Sequence, residues 1–148
     1  MSFIKRKENL EKKPSFISEE PIVLNVDIDR LEVRVKKEGV EVGFAKVLRP
    51  AMDDGKKSCK IEYFEKYLPI SGIGRMMLSE MITIAKNSGA TRIVVYPNPV
   101  DLQIEEMPPL TIDALYTIYE KLGFKFDGGK ADSEIDRNVT NNKMYLEI

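Results

Sequence analysis

One junction in the chain, residues 67–82, constrains the possible folds more than any other stretch. Residues 59–64, ahead of it, have the β-branched and aromatic content of a strand. Behind it, apolar residues recur at helical spacing and predict a helix with one buried face: Ile73, Met77, Met81 and Ile84. The intervening loop contains Gly72 and Gly74, and glycine lets a backbone approach a ligand closely. Because the free N–H groups and the dipole at a helix N-terminus favour an anion, this junction is a candidate phosphate-binding turn.

A Gly-x-Gly pair also has a simpler interpretation. Glycine occurs in tight strand-to-helix turns that bind nothing, and an isolated pair favours that interpretation. Two other phosphate-binding patterns are absent from the sequence. It contains neither Gly-x-x-x-x-Gly-Lys-Ser/Thr, the pattern of a P-loop, nor Gly-x-Gly-x-x-Gly, the pattern of a dinucleotide fold. The turn therefore indicates a function only if a second motif supports it.

The rest of the chain divides into two halves around this junction. The first half predicts an antiparallel meander, with strands at 22–28, 31–35 and 42–47, a hairpin turn at 37–40 and an exposed loop at 50–57. The second half predicts a strand at 91–96, central in the sheet, a long loop at 98–110 and a helix from Thr111 to Gly123. A strand beginning at Phe124, a loop at 127–142 and a final strand at 143–148 complete the pattern.

Length and composition limit the domain organisation and the kinds of catalytic or metal site that the chain can form. The 148 residues are expected to form one domain at 21–148, preceded by a polar basic arm at 1–20. The absence of histidine excludes a Ser-His-Asp triad and most zinc sites, and we expect no metal. Cys59 is the lone cysteine and no apolar stretch approaches the about 20 residues of a membrane span, so we expect a cytoplasmic protein. A net charge of −1 gives the whole chain no attraction for nucleic acid.

The second motif is Tyr119-Glu-Lys-Leu-Gly-Phe124, at the end of the second predicted helix. It follows Gly72-Ile-Gly74 with one predicted strand between the two motifs. In this order and spacing the chain resembles the Gcn5-related N-acetyltransferase (GNAT) superfamily, over roughly residues 31–148. The resemblance implies an α+β fold, an α/β sandwich, with a mixed, mostly antiparallel sheet and helices after the fourth and fifth strands. The cover helices that the family places between its first two strands are missing here, because a short turn joins 31–35 to 42–47.

The resemblance implies that acetyl-CoA is the cofactor. Its diphosphate would lie on the loop formed by Ile70, Ser71, Gly72, Ile73, Gly74 and Arg75. Pro69 stands where the family has an arginine or glutamine, so backbone amides would supply the contacts. Phe64, at the end of the preceding strand, falls where the family pairs its backbone with the pantetheine arm, often beside a β-bulge.

The resemblance also implies the catalytic residues. Tyr119 matches the tyrosine that protonates the departing thiolate, although its helical spacing is also typical of a core residue. Ile112 replaces an asparagine that the family often has. Glu62 is the first candidate for the general base, because its strand borders the cleft. The other candidates are Glu105, Glu106 and Asp113.

Three functional classes follow. The first is an acetyl-CoA-dependent N-acetyltransferase in which a primary amine, on a protein or peptide, attacks the thioester directly. The second is a non-catalytic GNAT-like module that binds CoA or serves as a regulatory interaction subunit. The third is nucleic-acid binding through the basic arm at 1–20, although the glutamates of the arm reduce its net positive charge. A homodimer is compatible with each class.

Overall fold

One mixed sheet with two helices forms the described part of the chain, which in this computed structural model comprises residues 21–68, 70–99, 110–127 and 135–148. The strands are β1 (Ile22–Asp27), β2 (Glu32–Lys37), β3 (Val40–Val47), β4 (Ala51–Asp53), β5 (Lys56–Lys66), β6 (Arg92–Val95), β7 (Lys125–Phe126) and β8 (Met144–Glu147). The helices are α1 (Ile73–Asn87) and α2 (Ile112–Lys121). The expectations for the arm at 1–20 and for Pro69, Glu105 and Glu106 concern residues outside this description.

The sheet has the order β1-β2-β3-β5-β6-β8-β7, and β4 pairs with β5 beside this path. Strands β5 and β6 are parallel, whereas the other pairs are antiparallel. The prediction of a mixed, mostly antiparallel sheet is therefore confirmed. Strand β6 lies between β5 and β8, and all four of its residues are buried, which confirms that it is central.

Two tight turns connect neighbouring antiparallel strands, and one of them was predicted from the sequence. The hairpin turn predicted at 37–40 is confirmed: Lys37 pairs with Val40, and Glu38 and Gly39, with φ of 53° and 78°, join β2 to β3. The predicted loop at 50–57 contains β4 and the start of β5, joined by Asp54 and Gly55 with φ of 52° and 76°. Two consecutive positive φ values give the local twist that a two-residue hairpin requires. The loop prediction was wrong because hairpin turns and open loops share the same residue types.

Both helices begin and end as the sequence predicts. Thr111 caps α2, its side-chain oxygen accepting a hydrogen bond of 3.1 Å from the N–H of Ala114. Gly89 and Gly123 follow the helix ends in the left-handed conformation, with φ of 93° and 104°. The predicted apolar stripe of α1 is buried against the sheet.

Close packing of α1 on the sheet depends on Gly43 in β3. A Cβ atom at that position would lie 3.0 Å from Sδ of Met77 and 3.1 Å from Cγ2 of Ile73. The first two turns of α1 therefore lie directly on the backbone of β3. This contact fixes the N-terminal end of α1 relative to the sheet.

Residues 28–31 alone connect β1 to β2, so no cover helix lies between these first two strands. The expectation that the missing helices belong between 31–35 and 42–47 is wrong, because those segments are the second and third strands of the described chain, β2 and β3. The face of β2, β3 and β5 opposite α1 carries a row of polar and aromatic side chains, in which the Arg34 guanidinium lies 4.3 Å from the Phe44 ring centroid.

Neither helix among the described residues is long and apolar enough to cross a bilayer.

Candidate active site

The parallel strands β5 and β6 pair over three residues and then separate. Residues 58–60 pair with residues 92–94, after which β5 continues to Lys66 in contact with β3, whereas β6 ends at Val95. A cleft with about 310 Å³ of empty space, partly open to solvent, lies at this separation. It is lined by the two strand ends and by α2: Ile61, Glu62, Phe64, Val95, Tyr96, Pro97, Asn98, Leu115 and Tyr119.

A β-bulge at Glu62 explains the separation. Val47 pairs with Ile61 and Lys46 pairs with Tyr63, so Glu62 is an extra residue opposite β3. A bulge bends its strand and leaves the extra residue outside the regular ladder. Glu62 is exposed and lines the cleft, and Phe64 is directed toward α2 beyond the bulge.

Phe64 connects the glycine turn to Tyr119. Its ring centroid lies 6.0 Å from that of Tyr119. Its Cζ atom lies 4.0 Å from the position that a Cβ atom on Gly74 would take. The two predicted motifs, 70–75 and 119–124, therefore both lie next to the same aromatic ring.

The turn before α1 exposes backbone donors to open space. Gly72 is the N-cap, with φ of 88°, and a Cβ atom there would meet no atom of the described residues within 4 Å. The helical ladder begins with the N–H of Met76, which donates to the Gly72 carbonyl at 3.0 Å. The N–H groups of Ile73, Gly74 and Arg75 precede this ladder and point out of the helix N-terminus. They can interact with an anion.

The other predicted loop residues differ in what they offer. The N–H of Ile70 donates to the Leu68 carbonyl at 2.8 Å, so Ile70 contributes a side chain packed on the core instead of an amide for an anion. Ser71 is exposed beside Gly72. The side chain of Arg75 is directed away from the turn, since its Nη2 donates to the Lys121 carbonyl, in the last turn of α2, at 2.9 Å.

Tyr119 is both a core residue and a cleft residue. It is 4% exposed, and its ring packs edge-on against Phe124 with centroids 5.3 Å apart. The same ring lines the cleft. The two interpretations that the sequence left open for this tyrosine are therefore compatible.

Tyr116, one turn earlier on α2, has a role that was not predicted from the sequence. Its side chain is fully buried, and its hydroxyl donates to the Val139 carbonyl at 2.5 Å and accepts from the N–H of Asn142 at 3.1 Å. This tyrosine therefore holds the segment before β8 onto α2. Helical spacing predicted a core position for Tyr119, but the sequence offered no signal that the Tyr116 hydroxyl reaches that segment.

The described candidates for a base lie in different places. Glu62 lines the cleft, whereas Asp113 forms an ion pair with Arg137 at the start of α2.

Other residues of the cleft were not predicted. Lys60 lies with its Nζ 4.9 Å from the ring centroid of Tyr96, which lines the cleft. Tyr96, Pro97 and Leu115 were not predicted as site residues, because only the separation of the strands brings them to the cleft.

A cluster of carboxylates at Asp53, Asp54 and Asp127 has the composition of a cation site. Nζ of Lys143 lies 2.6 Å, 3.0 Å and 3.0 Å from their oxygens and takes the place of a cation. Burial alone would lower the pKa of Lys143, but the hydrogen bonds to the three carboxylates outweigh it and raise that pKa. The cluster is a structural ion network that joins the β4–β5 hairpin to β8.

No protein-family profile and no curated protein sequence matches this chain. Solved structures do resemble it. A GNAT family acetyltransferase from Elizabethkingia anophelis, with acetyl-CoA bound, aligns with a TM-score of 0.53 and 15% identity over 79% of this chain and 75% of its own. An IAA acetyltransferase from Bacillus cereus aligns with a TM-score of 0.53 and 16% identity over 79% of this chain and 77% of its own.

The PaiA N-acetyltransferase of Thermoplasma acidophilum, in complex with coenzyme A, aligns with a TM-score of 0.50 and 16% identity over 80% of this chain. The aligned region spans 60% of that enzyme. At such identities the likeness establishes a shared fold, and function has to be argued from the site.

Proposed function

We propose that this chain, which has the fold of the Gcn5-related N-acetyltransferase (GNAT) superfamily, is an acetyl-CoA-dependent N-acetyltransferase that acts on a primary amine. The observation that carries the proposal is the cleft between β5 and β6. It opens at the Glu62 bulge, and the Phe64 ring links it to the turn before α1. A thioester with a diphosphate at one end requires such a path from an anion-binding turn into a cleft beside it.

The residues of the turn fit the diphosphate. Backbone N–H groups of Gly72, Ile73, Gly74 and Arg75 would donate to it, with Ser71 beside them and Ile70 packed beneath. Gly72 leaves open space where a side chain would stand, which is what a close approach of phosphate oxygens needs. Phe64 and the strand end beyond the bulge would border the pantetheine arm.

The acetyl group would be transferred by direct attack. Acetyl-CoA, when bound, supplies that group as a thioester. The amine nitrogen forms a bond to the carbonyl carbon, the carbon–sulfur bond breaks, and CoA leaves. Tyr119 would donate the proton that the departing sulfur takes up, and the carboxylate of Glu62, directly or through a water, would accept the proton that the amine loses. Backbone amides released from the ladder at the bulge would stabilise negative charge on the carbonyl oxygen.

The acceptor we propose is an amine on a protein or peptide. The short connection at 28–31 leaves one face of the sheet beside the cleft without a cover helix from that region. Among the described residues Glu62 is exposed, which is compatible with the approach of a lysine side chain or an N-terminus carried by a large partner.

The test measures CoA release with a thiol reagent while the protein is mixed with acetyl-CoA and one of three acceptor panels: lysine peptides, peptides with free N-termini, and small polyamines. Cys59 is fully buried and burial raises the pKa of its thiol, so the protein should add little to the signal. We expect turnover with a peptide panel. Turnover with polyamines alone would refute the peptide acceptor. Tight CoA binding without turnover in any panel would refute catalysis and favour a CoA-binding module.

A further inference from the structure

The side chain of Arg75 links the two helices of the site. Arg75 belongs to the first turn of α1, and its Nη2 donates to the carbonyl of Lys121, the last residue of α2, at 2.9 Å. The two residues are 46 positions apart in sequence, so the bond is a tertiary contact between the phosphate end of the site and the helix that carries Tyr119.

The hydrogen bonds at the end of α2 explain why an arginine fits there. The carbonyls of Ile118, Tyr119 and Glu120 accept from backbone N–H groups of residues 122–124. The Lys121 carbonyl, one of the carbonyls that a helix end leaves without an intrahelical donor, accepts from Arg75. The positive guanidinium also interacts favourably with the negative end of the α2 dipole.

This bond acts close to the tyrosine. Lys121 is two residues after Tyr119, whose ring is held between Phe64 and Phe124. A shift of the last turn of α2 would move the Tyr119 hydroxyl relative to the cleft. Small displacements of a proton donor are costly, because a misplacement of about 1 Å can lower a rate by about 10²-fold.

We propose that Arg75 is a positioning residue that holds Tyr119 in place through α2, and that its guanidinium is not a ligand of the diphosphate. The proposal rests on the function proposed above, and it assigns the backbone N–H and the side chain of Arg75 to separate tasks. The backbone N–H lies at the turn, and the side chain holds the last turn of α2.

The experiment is a double-mutant cycle with four proteins: wild type, Arg75→Met, Tyr119→Phe and the double variant. We measure kcat and the KM for acetyl-CoA, together with the Kd for CoA by calorimetry. If Arg75 acts through Tyr119, Arg75→Met lowers kcat about tenfold at unchanged Kd, and the double variant is no slower than Tyr119→Phe alone. Arg75→Lys, which retains a donor, restores part of kcat. Lys86→Met, at the other end of α1, controls for the loss of one positive charge and leaves kcat unchanged.

A second measurement does not depend on activity. Hydrogen exchange should be faster at the amides of residues 118–124 in Arg75→Met than in wild type or Lys86→Met. Unchanged exchange there overturns the proposal even if the protein has no measurable turnover.

The remaining outcomes separate the two proposals. An unchanged kcat with a Kd raised tenfold or more identifies the guanidinium as a phosphate ligand and overturns the positioning role. Effects that multiply in the double variant show that Arg75 acts independently of Tyr119, and they overturn the inference while the proposed function stands. A wild-type protein that binds no CoA overturns the proposed function itself.

Discussion

Two tyrosines one turn apart on α2 are predicted to have separable roles. Tyr116→Phe removes a hydroxyl that bonds the Val139 carbonyl and the Asn142 N–H, and Tyr119→Phe removes a hydroxyl from a ring that lines the cleft. Both substitutions keep the aromatic ring and therefore the ring contacts of α2. The pair differs mainly in what each hydroxyl does.

The loss of stability expected for Tyr116→Phe follows from the two hydrogen-bond partners that the hydroxyl no longer contacts. A lost hydrogen bond to a fully buried partner costs about 1–3 kcal/mol, and Val139 and Asn142 lie near the surface, where water replaces part of the loss. We expect the free energy of unfolding to fall by about 1–2 kcal/mol. That change lowers Tm by about 2–8 °C in a protein of this length. The rate kcat should stay within threefold of wild type.

Tyr119→Phe should give the converse result. Loss of a positioned proton donor lowers kcat by about 10²-fold, whereas the KM for acetyl-CoA stays within about twofold, because the diphosphate contacts lie at the turn before α1. Calorimetric melting and steady-state kinetics on both variants are the assays. A normal kcat for Tyr119→Phe, or a loss of turnover in a stable Tyr116→Phe protein, would refute the assignment of roles.

Three further substitutions test the packing of α1 on the sheet, the ring beside the turn and the ion network of Lys143. Gly43→Ala should lower stability by about 1–2 kcal/mol in thermal melting, because the new Cβ atom would crowd Met77 and Ile73, and an unchanged Tm would contradict that packing. Phe64→Leu should lower kcat about tenfold with a modest loss of stability, since it removes the ring between Gly74 and Tyr119, and unchanged kinetics would show that this ring has no role. Lys143→Met should destabilise by about 1–3 kcal/mol near pH 7, whereas Lys56→Met, which breaks an exposed pair, should cost at most about 1 kcal/mol. Because folding raises the pKa of Lys143, the stabilisation that its charge provides is fully present below about pH 10.4 and is lost as the pH rises further toward the folded pKa. The difference in free energy of unfolding between wild type and Lys143→Met should therefore shrink above that pH, and a constant difference would contradict the ion network.

The sequence predicted the helices and their ends well, because their signals are local. Gly89 and Gly123 end α1 and α2 in the left-handed conformation, and Thr111 caps α2, as residue type and position suggest. The burial of the α1 stripe and the central place of β6 follow from apolar patterns that span only a few residues.

The features that shape the cleft had no such local signal. The bulge at Glu62 is one extra residue relative to β3, and it becomes visible only when the register of the two strands is known. The bond from Arg75 to Lys121 depends on how two helices pack, and the sequence offered only a positive charge beside the turn. The three-residue strand β4 is too short to have a recognisable alternation.

The central claim is that acetyl-CoA binds across the turn before α1, and calorimetric titration of the protein with acetyl-CoA tests it most directly. We predict binding of one molecule per chain for wild type. Gly72→Glu should lose at least tenfold in affinity, because it fills the open space at the turn and repels the diphosphate. Gly55→Glu is the matched control: it makes the same substitution at a similar φ, 76° against 88°, also with no described atom near its Cβ position, in the β4–β5 hairpin at the opposite end of β5, and it should bind like wild type. No binding by wild type, or equal affinity for wild type and Gly72→Glu, would contradict the claim.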